Sequence, residues 1–511
     1  MKCKLNLIYF VRQIGYYFPA NKLAICESNG TCWTFSQLLQ SAKYIASTQL
    51  QPIKENMLIG LCFKNNSLFT ISMFACWIKK CVAVPISTRF PLSYQRNLVS
   101  QVSCSTILCD HDFSFDSPGI ATKQMSIKNM PHLKLEDSDE LSFDDHGYAC
   151  ILFTSGSSGR PKPVVLTHNN LKHQIRSMET MWKWSSKDHL IHALPLNHIH
   201  GLVNGLLTSL YSRATCTFVS PTNSDRIWNL LQSNKCTIFM GVPPLYRYLL
   251  LNKPAAVSTL QLETIRIIIC GSAPLPNSIF NDWKSFTDKC IIERYGMTET
   301  GMILGQQIYP GVIECGNVGL PFPFVSVRLV DDNGNIIYEH NNLSSLDHDS
   351  LKLVGEIQVK GPTVFSEYLG MPDETRMAFT ADGWFKTGDI SQYYRSGDQS
   401  YFKLLGRNEI DTVKVGGEKI SLLEIERVIL NHPKIVDCVV LADHHCHFGN
   451  SIYAIITCND RESMTLNELR RFCSLHLPQS HVPLKYKLME KLPRNEMGKI
   501  DKKSLQRRLF S

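Results

Sequence analysis

The sequence predicts a layered α/β protein, and three observations carry that prediction. Apolar runs of strand length alternate with segments of helical character: LIGLCF from 58, VAVPI from 82, YACILF from 148, CTIFMGVP from 236, IRIIIC from 265 and KCIIER from 289, with amphipathic stretches such as Arg226 to Asn234 between them. Two of the runs pass straight into small-residue turns, IRIIIC into GSAPLP and KCIIER into YGMTET. Polar turns therefore gather at one edge of the sheet, where such folds bind ligands. Beyond residue 320 the texture changes to short alternating strands, VSVRLV, GEIQVKG, GWFKTGD and YFKLLGR, which predicts a β-rich subdomain.

The elements follow in order. MKCKLNLIYFVRQIGYYF opens with lysines, but its apolar run stops at Arg12 and no A-x-A site follows, so a short amphipathic helix is expected rather than a signal peptide. No stretch reaches the roughly 18 uninterrupted apolar residues of a membrane span. The run FTSGSSGRPK, residues 153 to 162, packs four hydroxyls, two glycines and a lysine between YACIL and PVVLTHNNLKHQIRSM, and is expected to join a strand to a helix. Glycines let backbone N–H groups approach an anion, and hydroxyls and Lys162 add donors and charge. The spacing is not that of P-loop NTPases, and on residues alone a phosphate cradle and a solvated turn both stand. Asp331 to Leu353 is polar and reads as a surface loop or hairpin. From GRNEID onward, VKVGGEKISLLEIERVILNHPKIVDCVVLADHH, SIYAIITC and LNELRRFCSLHL form a compact module, which divides the chain into 1–406 and a small α+β domain, 407–511.

At 511 residues, 44% hydrophobic and 19% charged, the composition is that of a soluble globular protein with more than one core. The 18 cysteines are scattered without C-x-x-C pairs; the closest, Cys76 with Cys81 and Cys104 with Cys109, read as reduced core thiols of a cytoplasmic protein. His444, His445, Cys446 and His447 are sequence neighbours whose side chains diverge, which argues against one shared metal ion. The net charge of +8 is concentrated near the C-terminus, where residues 485 to 510 hold nine Lys/Arg against three acids. Without interleaved aromatics this is a solvated basic face, or one that meets a polyanionic small molecule, rather than a nucleic-acid surface.

Read together, FTSGSSGRPK, LPLNHIHG (194 to 201), GSAPLP (271 to 276), RYGMTET (294 to 300), GWFKTGD (383 to 389), GRNEIDTVKVGGEKI (406 to 420) and PRNEMGKIDKK (493 to 503) occur in the order seen in the adenylate-forming superfamily. The chain resembles its AMP-forming acyl-CoA synthetases, and RYGMTET with PRNEMGKIDKK is most similar to the malonyl-CoA synthetase branch. The resemblance implies a large N-terminal domain, a small mobile C-terminal lid, and ATP, Mg²⁺ and coenzyme A as ligands. It implies that Thr154, Ser155, Gly156, Ser157, Ser158, Gly159 and Lys162 hold the β- and γ-phosphates, that Thr298 donates to the α-phosphate and that Glu299 holds Mg²⁺, for which a hard carboxylate oxygen is suited. Asp389 and Arg407 would meet the ribose. Tyr295 would stack on adenine, with Gly271, Ser272, Ala273 and Pro274 along its edge and Gly296 and Met297 beside it. Lys499 would reach in during adenylation, and Gly416 and Gly417 would flank the pantetheine tunnel in the second step. The sequence departs from the family where Pro163 follows Lys162 and where one extra residue separates Arg407 from the glycine pair.

The acid is read from Arg294, which precedes Tyr295 in a segment that lines the acyl pocket in the superfamily. A guanidinium there suits a second carboxylate, and Arg247 in GVPPLYRYLL is expected to add charge, with His198 near the acyl group. Malonate or methylmalonate fits. The alternatives are that Arg294 pairs with Glu293 and the acid is a neutral short- or medium-chain one, or that a separate acyl carrier protein accepts the acyl group, no carrier domain following residue 511.

Overall fold

The computed structural model describes residues 21–510 apart from 112–114, 116–118, 126–144, 156–159, 234, 255–258, 309–312, 341–349, 398, 408–409, 416–417, 446–448, 459–463, 495–499 and 501. The apolar runs form the strands Leu58–Cys62, Val82–Pro85, Tyr148–Ser155, Ile238–Gly241, Ile267–Cys270 and Ile292–Met297. In a nine-stranded sheet, Thr215–Phe218, His189–His192, Ile238–Gly241, Ile267–Cys270 and Ile292–Met297 lie side by side in parallel. A seven-stranded sheet places Ala121–Met125, Thr106–Asp110, Leu58–Cys62, Val82–Pro85 and Tyr148–Ser155 likewise. Val82–Pro85 and Ile267–Cys270 are buried along their whole length, which is why parallel strands here read as continuous apolar runs rather than alternating ones.

The helices start where the sequence supplies caps. Thr34 with Gln37 and Thr167 with Asn170 form reciprocal capping boxes that open Phe35–Thr48 and His168–Trp182. Asn66 accepts from Phe69 N to open Ser67–Ile78, a helix that is apolar nearly all round and correspondingly buried.

Two expectations are corrected. FTSGSSGRPK joins strand to strand: Tyr148–Ser155 pairs antiparallel with Pro161–Thr167, and the helix begins only at His168. Pro161 and Pro163 bias the residues before them toward extended backbone, and the buried Val164 and Val165 continue the strand. Among the cysteines, Cys26 and Cys32 are disulfide-bonded, because they sit opposite each other across an antiparallel hairpin with Cα atoms 4.2 Å apart. Fourteen other described cysteines are free thiols.

The β-rich subdomain is a five-stranded antiparallel sheet ordered Ile336–Glu339, Ser326–Val330, Ser350–Lys360, Phe385–Ser396, Gln399–Arg407. Asp331 makes the first turn by accepting from Asn333 N and Asn335 N. Past Arg407 the chain builds a separate sheet from Thr412–Val415, Glu418–Ser421, Gly449–Cys458 and Ile435–His445, joined by Lys485–Leu488, with its own core around Ile425, Ile429, Val440, Ile452 and Leu469. Among the described residues no helix is long and apolar enough to cross a membrane, and no His/Cys/Asp/Glu cluster could hold a metal ion. Residues 1–20 and the side chains of His444, His445, Cys446 and His447 lie outside the described residues.

The C-terminal helix Lys502–Phe510 is pinned by charge. The Lys502 ammonium is half-buried between Asp411 Oδ1 at 2.6 Å and Glu426 Oε1 at 2.7 Å. Burial alone would lower its pKa, but the two carboxylates outweigh that and raise it. Lys502→Met leaves both carboxylates without their cation and is expected to destabilise the C-terminal unit by about 3–5 kcal/mol. Native-state hydrogen exchange reads this directly: amides of Ile435–His445 should lose protection while those of Ile267–Cys270 keep theirs.

Candidate active site

Segments that follow two parallel strands of the nine-stranded sheet, His189–His192 and Ile267–Cys270, converge on one buried arginine of a third, Ile292–Met297. Arg294, on Ile292–Met297, is 5% exposed and donates through Nη2 to Ser272 Oγ at 3.3 Å. Ser272 follows Ile267–Cys270 with a left-handed φ of 69°, and its hydroxyl also meets His200 Nδ1 at 3.3 Å. His200 opens the π-helix His200–Leu207 that follows His189–His192. Among the described residues Arg294 Nε and His200 Nε2 have no hydrogen-bond partner, and neither has the side-chain amide of buried Asn204, four residues on from His200 in the same helix. Ser272 itself is exposed, so the cluster reaches solvent through it. Gly271 is required here, because a Cβ would lie 2.4 Å from Arg294 Nε and 2.5 Å from Cζ.

Burial lowers the Arg294 pKa to about 10, with Cys270 and Tyr246 acting in the opposite direction. It remains a cation at neutral pH. Burial, and then the charge of Arg294, hold His200 well below its usual value, so it is neutral and has one ring nitrogen to offer as a donor. Glu293 does not pair with Arg294. Its oxygens accept from Leu275 N at 3.3 Å and from Gly316 N; burial raises its pKa, and the cation that opposes this rise is Arg427.

A second group lies one residue along the strand. Tyr295 Oη donates to Asp389 Oδ2 at 2.5 Å, and Arg407 Nε lies 3.3 Å from Asp389 Oδ1. Asp389 and Arg407 are cross-strand partners in the subdomain sheet. Burial opposes charge on Arg407, but Asp389, Tyr295, Glu299 and Asp411 together raise its pKa.

A third group surrounds Glu299, which is 5% exposed and accepts from Tyr368 Oη at 3.0 Å. Burial raises the Glu299 pKa, and Tyr368, Arg407 and Lys162 pull it back. Lys162 Nζ stands 4.8 Å from the centre of the Tyr368 ring. Thr298, Gly296 and Met297 are half-buried in the turn before Glu299, and Ala273 and Pro274 continue the turn after Ser272. Thr154 and Asn197 line a shallow depression with Phe90, Tyr94 and Phe153. Gly156, Ser157, Ser158, Gly159, Gly416, Gly417, Lys499 and the side chain of Ser155 lie outside the described residues.

Two residues sit differently from expectation. Arg247 is turned away from Arg294, donating to the carbonyls of Ile435 and Val436 in the C-terminal unit. Of the two histidines in LPLNHIHG it is His200 that reaches the arginine, while His198 is half-buried one turn earlier. Sequence reasoning missed Tyr368, Asn204 and Asp411. Tyr368 carries no motif signal and arrives only through the pairing of Glu367–Tyr368 with Pro161–Thr167.

Comparison with known proteins agrees with this geometry. Residues 12–369 match the AMP-binding enzyme family and residues 424–499 match the AMP-binding enzyme C-terminal domain. The human mitochondrial malonate–CoA ligase ACSF3 is 33% identical over 89% of this chain and 83% of its own length. The malonate–CoA ligase of Arabidopsis thaliana is 31% identical over 98% of this chain and 90% of its own. The crystal structure of ATP-bound MatB from Rhodopseudomonas palustris superposes with a TM-score of 0.83 at 27% identity, covering 98% of this chain and 99% of that one.

A buried cation with no acid beside it costs stability in the empty protein. Arg294→Met is therefore expected to raise the unfolding free energy by about 1–3 kcal/mol. Urea denaturation checks it.

Proposed function

We propose, from the premise that the chain belongs to the AMP-binding enzyme family, that it is an ATP-dependent acid:CoA ligase acting through an acyl-adenylate, and that its acid is a short dicarboxylate such as malonate or methylmalonate. The observation that carries the choice of acid is the buried Arg294, with Ser272 and neutral His200 beside it and no carboxylate in contact among the described residues. A second carboxylate supplies the missing charge and accepts from these donors. A neutral acid would leave the guanidinium uncompensated.

The chemistry needs two displacements. A carboxylate oxygen of the acid attacks the α-phosphorus of ATP, the bond to the β-phosphate oxygen breaks, and pyrophosphate leaves with the electron pair. The thiolate of CoA then attacks the activated carbonyl carbon, and AMP leaves. In this reading Thr154, Ser155, the 156–159 loop and Lys162 hold the β- and γ-phosphates, Thr298 donates to the α-phosphate, and Lys499 neutralises charge as it develops. Asp389, oriented by Tyr295 and Arg407, accepts from the ribose hydroxyls, and the Gly271 to Pro274 turn borders adenine. His198 borders the acyl group. Glu299 fits a divalent cation, being a buried carboxylate with one oxygen held by Tyr368; Mg²⁺ bound there supplies charge neutralisation at the phosphates.

The 407–511 unit serves as the lid, and Gly416 and Gly417 flank the pantetheine path for the second step. Arg247, held to the lid's carbonyls, belongs to the seam and not to the acid. The fourteen free thiols among the described residues support a reducing, cytoplasmic setting, to which the Cys26–Cys32 disulfide is an exception.

The test is pyrophosphate release with ATP and Mg²⁺ across malonate, methylmalonate, acetate, butyrate and octanoate, each with and without CoA. Malonate should lead, and Arg294→Ala should lower its kcat/KM about 100-fold and erase its preference over butyrate. A lead for octanoate sinks the dicarboxylate assignment. Pyrophosphate without acyl-CoA, when CoA is present, sinks CoA as acceptor.

A further inference from the structure

Lys162 and Glu299, the cation and the carboxylate assigned above to the phosphates and their metal, meet at one side chain that no motif singles out. We propose that Tyr368 is a positioning residue for adenylation: its ring face holds the Lys162 ammonium while its hydroxyl fixes the Glu299 carboxylate. One residue thus presets both groups before nucleotide arrives. The proposal rests on the nucleotide reading of Lys162 and Glu299.

Tyr368 is built to be rigid. It is 5% exposed, its strand Glu367–Tyr368 pairs with Pro161–Thr167 so that Tyr368 lies opposite Val164, and Lys162 is two residues from Val164 on the same face of that strand. Ser366 N donates to Val165 O at 3.0 Å and Leu369 N to Pro163 O at 2.9 Å, closing the pairing on both sides. Tyr368 N donates to Thr375 Oγ1 at 3.0 Å, and the Phe365 ring packs 4.7 Å away. Phe365 N also donates to the carbonyl of Glu299 at 2.7 Å. The same short segment therefore grips Glu299 by its backbone and by its side chain.

The chemistry explains why an aromatic hydroxyl suits this place. A direct Lys162–Glu299 ion pair would satisfy each charge with the other, and the phosphates and their cation would have to break it. A ring face holds an ammonium by its quadrupole alone and leaves the positive charge unneutralised for an incoming phosphate. No ion pair holds Lys162 among the described residues. The Tyr368 hydroxyl donates to one Glu299 oxygen, orienting the carboxylate as outer partners orient metal ligands and leaving the other oxygen for a hard cation.

Two variants separate the two contacts. Tyr368→Phe keeps the ring and deletes the hydroxyl; Tyr368→Leu deletes both. Binding is measured on the whole chain by calorimetry with ATP alone and by the electron paramagnetic resonance of Mn²⁺ titrated with protein and ATP. Tyr368→Phe should bind metal-free ATP like the unaltered chain but lose about tenfold in Mn²⁺ affinity of the ternary complex. Tyr368→Leu should in addition lose about threefold in metal-free ATP affinity. In pyrophosphate exchange, half-saturating Mg²⁺ should rise for the phenylalanine variant while the KM for the acid stays fixed. Unchanged Mn²⁺ affinity in Tyr368→Phe overturns the assignment, and so does an equal fall of all these constants, which is what a purely structural role would give. If Tyr368→Leu does not fold, the phenylalanine variant decides alone. Unaltered protein that binds neither ATP nor Mn²⁺ with ATP overturns the nucleotide reading, and the Tyr368 assignment with it.

Discussion

The Arg294 guanidinium is closed in by the Cys270–Gly271 backbone, Tyr246 and His200, and keeping that charge away from water without an acid beside it constrains every neighbour. Position 271 must lack a Cβ, or the guanidinium has no room. Ser272 adopts a left-handed backbone that brings its hydroxyl to both the arginine and the histidine. His200 stays neutral because a second cation in the same low-dielectric pocket would compound the cost. Natural proteins retain such a destabilised arrangement where binding needs it, and the unpaired Nε of Arg294 and Nε2 of His200 are donors in search of an anion.

The same strand explains how the pocket is tied to the rest of the molecule. Alternation along a strand sends Glu293 and Arg294 to opposite faces. Glu293 turns toward the seam with the C-terminal unit, where it accepts from two backbone amides near Arg427. Arg294 turns to the pocket assigned above to the acid. A bulge between Tyr295 and Gly296 then re-aims the chain, so that Tyr295 reaches Asp389 of the subdomain sheet and Glu299 reaches Tyr368. Within seven residues the backbone serves the seam, the acid and the two groups assigned to the nucleotide.

The parallel strands were legible because burial on both faces writes itself as an unbroken apolar run, as in IIIC at 267 to 270. Asp389 and Glu299 were singled out only through the motifs the chain shares with the adenylate-forming family, since an acid in such a turn also reads as a turn former or helix cap. Contacts made by distant pairing were not. Tyr368 lies about 200 residues from Lys162, and only the two-residue strand beside Pro161–Thr167 brings them together. Arg247 shows the same limit from the other side: its charge was visible, but the direction of its side chain on Pro243–Leu251 depends on a lid that packs from beyond residue 407. The strand after FTSGSSGRPK was misread as helix because NNLKHQIRSM is strongly helical, and periodicity does not say where PVVLT hands over to it.

The distribution of charge across the seam bears on whether the 407–511 unit can rotate. The half-buried Lys502–Asp411–Glu426 group lies wholly inside that unit and moves with it intact. Asp411 also accepts from Arg407 N at 3.2 Å, which places the pivot beside the arginine assigned to the ribose. What a rotation must break is weaker, and includes the half-exposed Lys403–Glu424 pair, the hydrogen bonds from Arg247 to Ile435 and Val436 carbonyls, those from Ser278 to Leu430 and Asn431, and that from the Ser421 hydroxyl to the Leu405 carbonyl. Exposed ion pairs contribute about 0–1 kcal/mol each, and carbonyls released at a surface are taken up by water. The buried exception is Arg427 near Glu293, yet Glu293 keeps its donors from Leu275 and Gly316 when Arg427 withdraws. Strong interactions lie within each unit and weaker ones between them, which is the arrangement that the proposed rotation of the 407–511 unit would need.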